Sequence, residues 1–136
     1  MKYIKYFNEQ QFLTDFTDQL KDSLSKEYTL ELNKQVGQKQ LDLFIENKST
    51  GHTYTIEVKG RPEKENLPPE IIPWLNKIKD SIENKNNHFI VLSLSNVNEN
   101  IKNIFIENNI DVFEYEKHKN DITTDFIEYI NKLGTK

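Results

Sequence analysis

The chain has 136 residues, 35% of them hydrophobic and 29% charged, with a formal net charge of −4 and no cysteine. That length suits one domain, spanning residues 1–136, and the missing thiols exclude disulfides and thiolate metal centres. Three scattered histidines argue against a histidine-based zinc site, so any metal would be a hard cation on oxygen ligands.

The apolar windows are strand-length, too short to cross a bilayer, which predicts a protein without membrane partners. MKYIKYFNEQ carries no apolar core of a signal peptide, so a cytoplasmic location is expected. The charge is unevenly spread. From Lys34 to Lys64 six basic residues face four acidic ones, whereas from Glu99 to Glu128 eight acidic residues face three lysines. Such asymmetry suits a protein that meets phosphate on one side.

In chain order, Phe12, Phe16, Leu20 and Leu24 recur every four residues beside Leu13, predicting a helix over about Asn8–Lys26 with Asn8 as N-cap. YTLELNK, Tyr28–Lys34, alternates as a strand. LDLFIEN and TYTIEVK then form a hairpin about the turn Lys48-Ser49-Thr50-Gly51. With Asn47 facing His52, paired positions sum to 99. Leu43 then lies on Ile56, Ile45 on Tyr54, and Leu41 near Val58, while Asp42 falls opposite Glu57. Lys59 shares the face of Glu57 because side chains alternate along a strand.

The polar RPEKENLPP follows, and a helix beginning near Pro69 or later, with Ile71, Leu75, Ile78 and Ile82 inward and Asn86-Asn87 at its close. HFIVLSLS, His88–Ser95, reads as a strand buried on both faces. A helix from Asn98 to Asn108 turning Ile101, Ile104 and Phe105 inward comes next, then a strand over Asp111–Tyr115. A last helix over Asp121–Leu133 carries Ile122, Phe126, Ile130 and Leu133. The predicted order is αβββαβαβα, with the strand–helix–strand unit Phe89–Tyr115 a parallel crossover beside the hairpin.

This order, with Leu41-Asp42 opening the second strand and Glu57-Val58-Lys59 ending the third, resembles the PD-(D/E)xK nuclease superfamily over roughly Asn8–Tyr115. The ExK triplet is weak alone; its setting in a hairpin between a helix and a strand–helix–strand unit is the specific part. Leu41 stands where the family label has proline, a departure shared by many members. The resemblance implies an α/β, restriction-endonuclease-like αβββαβ core with a mixed central sheet flanked by helices, extended here by a C-terminal αβα. It also implies a metal-dependent nuclease, foremost a DNA endonuclease of a defence, restriction or recombination and repair setting, acting as a homodimer. Asp42 and Glu57 would hold Mg²⁺ or Mn²⁺, assisted by the Val58 carbonyl. Lys59 would orient water or stabilise transition-state charge. Glu9 is the first-helix acid best placed to join them, ahead of Asp15 and Asp18.

Other readings stand beside these. Asp42, Glu57 and Lys59 could form a surface ion cluster, and Glu9 could be a first-turn acid favoured by the helix dipole. Arg61, the one arginine, could clamp phosphate bidentately or pair with Glu63 or Glu65. Lys39, Lys48 and Lys64 could supply non-specific attraction to a nucleic-acid backbone. Trp74, off its helix's apolar stripe, is a rim or interface residue. Gln35, Gln38 and Gln40 read as polar-loop residues that could touch bases, and His52 and His88 have no evident partner. The alternative function is a non-catalytic module of the same fold that binds nucleic acid or protein. A small domain binding an anionic metabolite would need a glycine-rich phosphate loop, which the four glycines do not form.

Overall fold

The computed structural model describes residues 9–60, 67, 70–82, 85–118 and 120–135. Ten elements run in the order α1 (Glu9–Ser23), β1 (Tyr28–Val36), β2 (Lys39–Asn47), β3 (Thr53–Lys59), α2 (Ile71–Asp80), β4 (Asn87–Ser93), α3 (Glu99–Glu107), β5 (Asp111–Glu114), α4 (Tyr115–His118) and α5 (Ile122–Leu133). The strands lie in sequence order in one five-stranded sheet. β1, β2 and β3 are antiparallel neighbours, whereas β3–β4 and β4–β5 are parallel. This is the mixed sheet expected, with one addition: Tyr115 leaves β5 and opens the single turn α4.

The hairpin holds its expected register, Leu43 on Ile56 and Ile45 on Tyr54. Its turn closes through Asn47 N–H to the His52 carbonyl at 2.9 Å and Gly51 N–H to the Asn47 carbonyl at 2.8 Å. Gly51, at φ 83°, takes the left-handed conformation that only glycine adopts freely. Two apolar layers cover the sheet. On one face Leu43, Ile45, Tyr54, Ile56, Val58, Ile90 and Leu92 pack against Phe12, Phe16 and Leu20 of α1 and Phe126 and Ile130 of α5. On the other, Phe89 and Val91 pack against Ile72, Leu75 and Ile78 of α2 and Ile101 and Phe105 of α3. Phe16, Leu20, Ile78, Ile90, Leu92 and Phe105 are all buried, as their spacing requires.

Several local expectations are corrected. Leu41 joins the α2–α3 layer and Val58 the α1–α5 layer, so Leu41 does not stack on Val58. Beside Leu41, side chains take over backbone amides between β2 and β3, as described below. α2 ends at Asp80 with Ser81 as C-cap, and Asn87 already belongs to β4, so Asn86-Asn87 does not close the helix. Ile72 takes the buried place expected of Ile71, which is half-buried. His52 and His88 do have partners: His52 Nδ1 lies 2.9 Å from His88 Nε2, and the two rings stack. Asn98 caps α3 by accepting from Ile101 N–H. The Asn8 cap and the positions of Arg61 and Lys64 lie outside the described residues. No described helix is long and apolar enough to cross a membrane.

Candidate active site at the carboxyl end of β3

β3 alternates its side chains between the two layers. Tyr54, Ile56 and Val58 enter the α1–α5 layer, which leaves Thr55, Glu57 and Lys59 on the α2–α3 side. Glu57 pairs in register with Val91, a member of that second layer, and is only 1% exposed. A carboxylate is therefore placed inside an apolar layer at the end of the sheet. Asp42 comes to the same place from β2 and is half-buried.

The two acids are joined crosswise. Asp42 N–H donates to Glu57 Oε2 at 3.0 Å, and Val58 N–H donates to Asp42 Oδ2 at 2.9 Å. Each side chain thus satisfies a backbone donor on the opposite strand, where a continued ladder would otherwise supply the acceptor. The exchange fixes both carboxylates through backbone amides. Burial pushes the Glu57 carboxyl from the usual 4.5 up to about 8, Asp42's charge adds to the rise, and the Asp42 amide and Lys59 ammonium oppose it. Burial also raises Asp42, against the pull of the Val58 amide and Lys59.

Lys59 Nζ lies 3.9 Å from Glu9 Oε1 and 4.1 Å from the centre of the Trp74 ring. The Lys59 side chain is 18% exposed, so its ammonium is held at the mouth of the site. Glu9, in the first turn of α1, also accepts from Gly60 N–H at 2.9 Å through Oε2. Gly60 stands at φ 91°, and a Cβ there would meet the Ser95 side chain and lie 2.9 Å from the Ser95 nitrogen. Leu94 N–H donates to the Lys59 carbonyl at 2.7 Å, so β3 and β4 remain tied just where the site opens.

Asp42, Glu57, Lys59 and Glu9 are thus brought together, though not equivalently. Glu9 meets Lys59 and the Gly60 amide, and it acts on Glu57 only as the smallest of the charges raising it. Among the described residues no three acidic or histidine side chains converge closely enough to hold an ion by themselves. The donor set does fit a hard cation, which commonly takes one or two protein carboxylates and completes its shell with water, carbonyl and phosphate oxygens. Among the described residues three carboxylates meet one ammonium here, and burial above all makes both inner carboxyls resist ionisation. Lys39 is half-buried at the start of β2. Lys48 is exposed in the hairpin turn, six residues or ~20 Å along the strand from Asp42, and is not brought to the carboxylates. Asp15 is half-buried and Asp18 exposed further along α1. Gly60 and its fit against Ser95 were missed from sequence; glycine after a strand-ending EVK was the available signal.

No protein-family model matches the chain, and no curated protein matches it in sequence. Solved structures do match in fold. Protein VC1899 from Vibrio cholerae superposes with a TM-score of 0.64 at 14% identity, over 92% of this chain and 33% of its own. Can2 from Sulfobacillus thermosulfidooxidans, in complex with cyclic tetra-adenylate, gives 0.64 at 15% identity, over 89% of this chain and 35% of its own. A repair endonuclease from Pyrococcus abyssi gives 0.54 at 15% identity, over 84% of this chain and 48% of its own. The chain therefore spans a third to a half of the proteins it resembles. It has the restriction-endonuclease-like α/β fold, shared with nucleases.

Proposed function

We propose that this chain is a metal-dependent phosphodiester hydrolase, an endonuclease acting on nucleic acid, with DNA the foremost substrate. The observation that carries the reading is the crosswise pair of half-buried Asp42 on β2 and buried Glu57 on β3, with Lys59 two residues beyond Glu57. A structural ion cluster would sit in solvent with its charges balanced. Here a carboxylate is held in an apolar layer with its pKa pushed to about 8, a strain more typical of functional sites than of surface ion pairs.

Asp42 and Glu57 would hold Mg²⁺ or Mn²⁺, with the Val58 carbonyl as a further oxygen donor. Such an ion supplies charge neutralisation at the phosphate and lowers the pKa of water. The chain's own residues do the rest. The amides of Asp42 and Val58 fix the two carboxylates, so little rearrangement is needed when a cation arrives. The Lys59 ammonium stands where it can hold a phosphoryl oxygen or orient the attacking water. Glu9 holds Lys59 from one side and anchors the Gly60 amide. Arg61, Lys39 and Lys64 belong in this reading as contacts to the nucleic-acid backbone, with Lys48 at a more distant one. A homodimer would place two such sites on two strands.

The test is the melting of the wild type, Asp42→Ala and Glu57→Ala proteins with and without Mn²⁺. Ion binding to the native state raises its stability, so the wild type should melt higher with Mn²⁺ and both variants should not. A wild type indifferent to Mg²⁺ and Mn²⁺ would leave the non-catalytic binding module as the better reading.

A further inference from the structure

Trp74 is the sole tryptophan of the chain, and it remains 44% exposed although α2 buries Ile72, Leu75 and Ile78. A single exposed ring is ordinary on a protein surface; it is the position of this one that bears on the site. The ring is turned toward the mouth of the carboxylate site, where Lys59 Nζ lies 4.1 Å from its centre. Lys59 is held in turn by Glu9. The ammonium lies over the indole ring, so the site presents a cation and an aromatic plane together. These match the phosphate and the flat base of a nucleotide, with the base taking the exposed ring surface that Lys59 does not cover.

We propose that Trp74 is a stacking platform for an unpaired nucleobase, so that the site takes single-stranded or locally unpaired polynucleotide. The proposal rests on the nuclease reading for its choice of ligand and deepens it by naming the substrate class. In a paired duplex both faces of each base are already stacked on neighbours, and a ring at the mouth of the site gains nothing from them. An unpaired base offers a free face. When it stacks on Trp74, the adjoining phosphate lies within reach of Lys59 and, beyond it, of Asp42 and Glu57. The chain's net charge of −4 makes general attraction to polyanions weak, so a local stacking contact carries more of the recognition.

The sole tryptophan is its own reporter. In EDTA, where nothing is cut, a short single-stranded oligonucleotide should quench the intrinsic tryptophan fluorescence of the wild type in a saturable way. Its blunt duplex at equal nucleotide concentration should not. Trp74→Ala should bind the fluorescein-labelled single strand about tenfold more weakly, while Trp74→Phe retains most of the affinity. Absence of quenching by single strands, or equal quenching by the duplex, would overturn the proposal. The two readings fail separately. Saturable quenching without cleavage of any substrate in Mn²⁺ would leave the stacking site standing and remove the nuclease reading. Cleavage without quenching would do the reverse.

Discussion

Asp42 and Glu57 are linked crosswise: the Asp42 amide donates to Glu57 Oε2 at 3.0 Å, and the Asp42 carboxylate accepts from the amide next to Glu57 at 2.9 Å. One strand end is therefore held to the other by the groups that would do the chemistry. The stability of the hairpin end and the ionisation of the site become a single property.

Its first consequence is a pH dependence with a definite sign. Glu57 has its carboxyl raised from 4.5 to about 8 in the folded chain, so between those values the native state binds the proton and the unfolded state does not. Stability without metal should fall as pH rises through this window, Glu57 contributing at most about 1.4 kcal/mol per pH unit. Denaturant midpoints from pH 5 to 8.5 would check this. Glu57→Gln, which cannot ionise, should flatten the slope, and a wild-type slope of the opposite sign would contradict the assignment.

Lys59→Ala should separate binding from turnover. The Lys59 ammonium meets Glu9 and Trp74 at the site mouth, and an ion would be held by the two carboxylates deeper in. The variant should keep the rise in melting temperature with Mn²⁺ and lose cleavage by about a hundredfold or more, as for a group acting in the transition state. Loss of the metal-induced shift would instead make Lys59 part of ion binding.

Gly60→Ala tests how the site is closed. A Cβ at φ 91° is strained, and here it would also press on the Ser95 backbone nitrogen at 2.9 Å. We expect a loss of about 1–3 kcal/mol, measured by denaturant unfolding, and lower activity in the folded fraction because Lys59 and the Gly60 amide shift together. Gly51→Ala, with nothing within 4 Å of its Cβ, should cost less.

The core prediction is more ordinary. Leu20 and Phe105 are both fully buried, one in each layer. Truncation of either to alanine should cost about 2–5 kcal/mol, and variants that melt like the wild type would refute the two-layer packing.

Much of this arrangement is legible in the sequence, for a physical reason. Leu43, Ile45, Tyr54 and Ile56 alternate strictly, so only one hairpin register buries them all, and that register delivers Asp42 to Glu57. Phe89 to Leu92 is apolar without alternation because β4 is covered on both faces. Legibility ends where side chains leave the ladder. The same alternation would place Leu41 with Val58, yet Leu41 joins the opposite layer beside the point where Asp42 and Glu57 capture backbone amides. Ile71 and Ile72 are equivalent in hydrophobicity, and only the phase of α2 over the sheet selects Ile72 for burial. Contacts between distant segments, such as Lys59 with Trp74 or His52 with His88, depend on how layers meet and leave no local pattern.

The most direct measurement is a cleavage assay with purified protein on plasmid, single-stranded, branched and RNA substrates, in Mg²⁺, in Mn²⁺ and in EDTA, run beside Asp42→Ala and Glu57→Ala. We expect cutting of at least one DNA substrate, strongest on single-stranded or branched forms, dependent on the divalent ion and abolished in both variants. No cleavage of any nucleic acid in either metal, or cleavage that survives in the variants, would contradict a hydrolytic centre at Asp42 and Glu57.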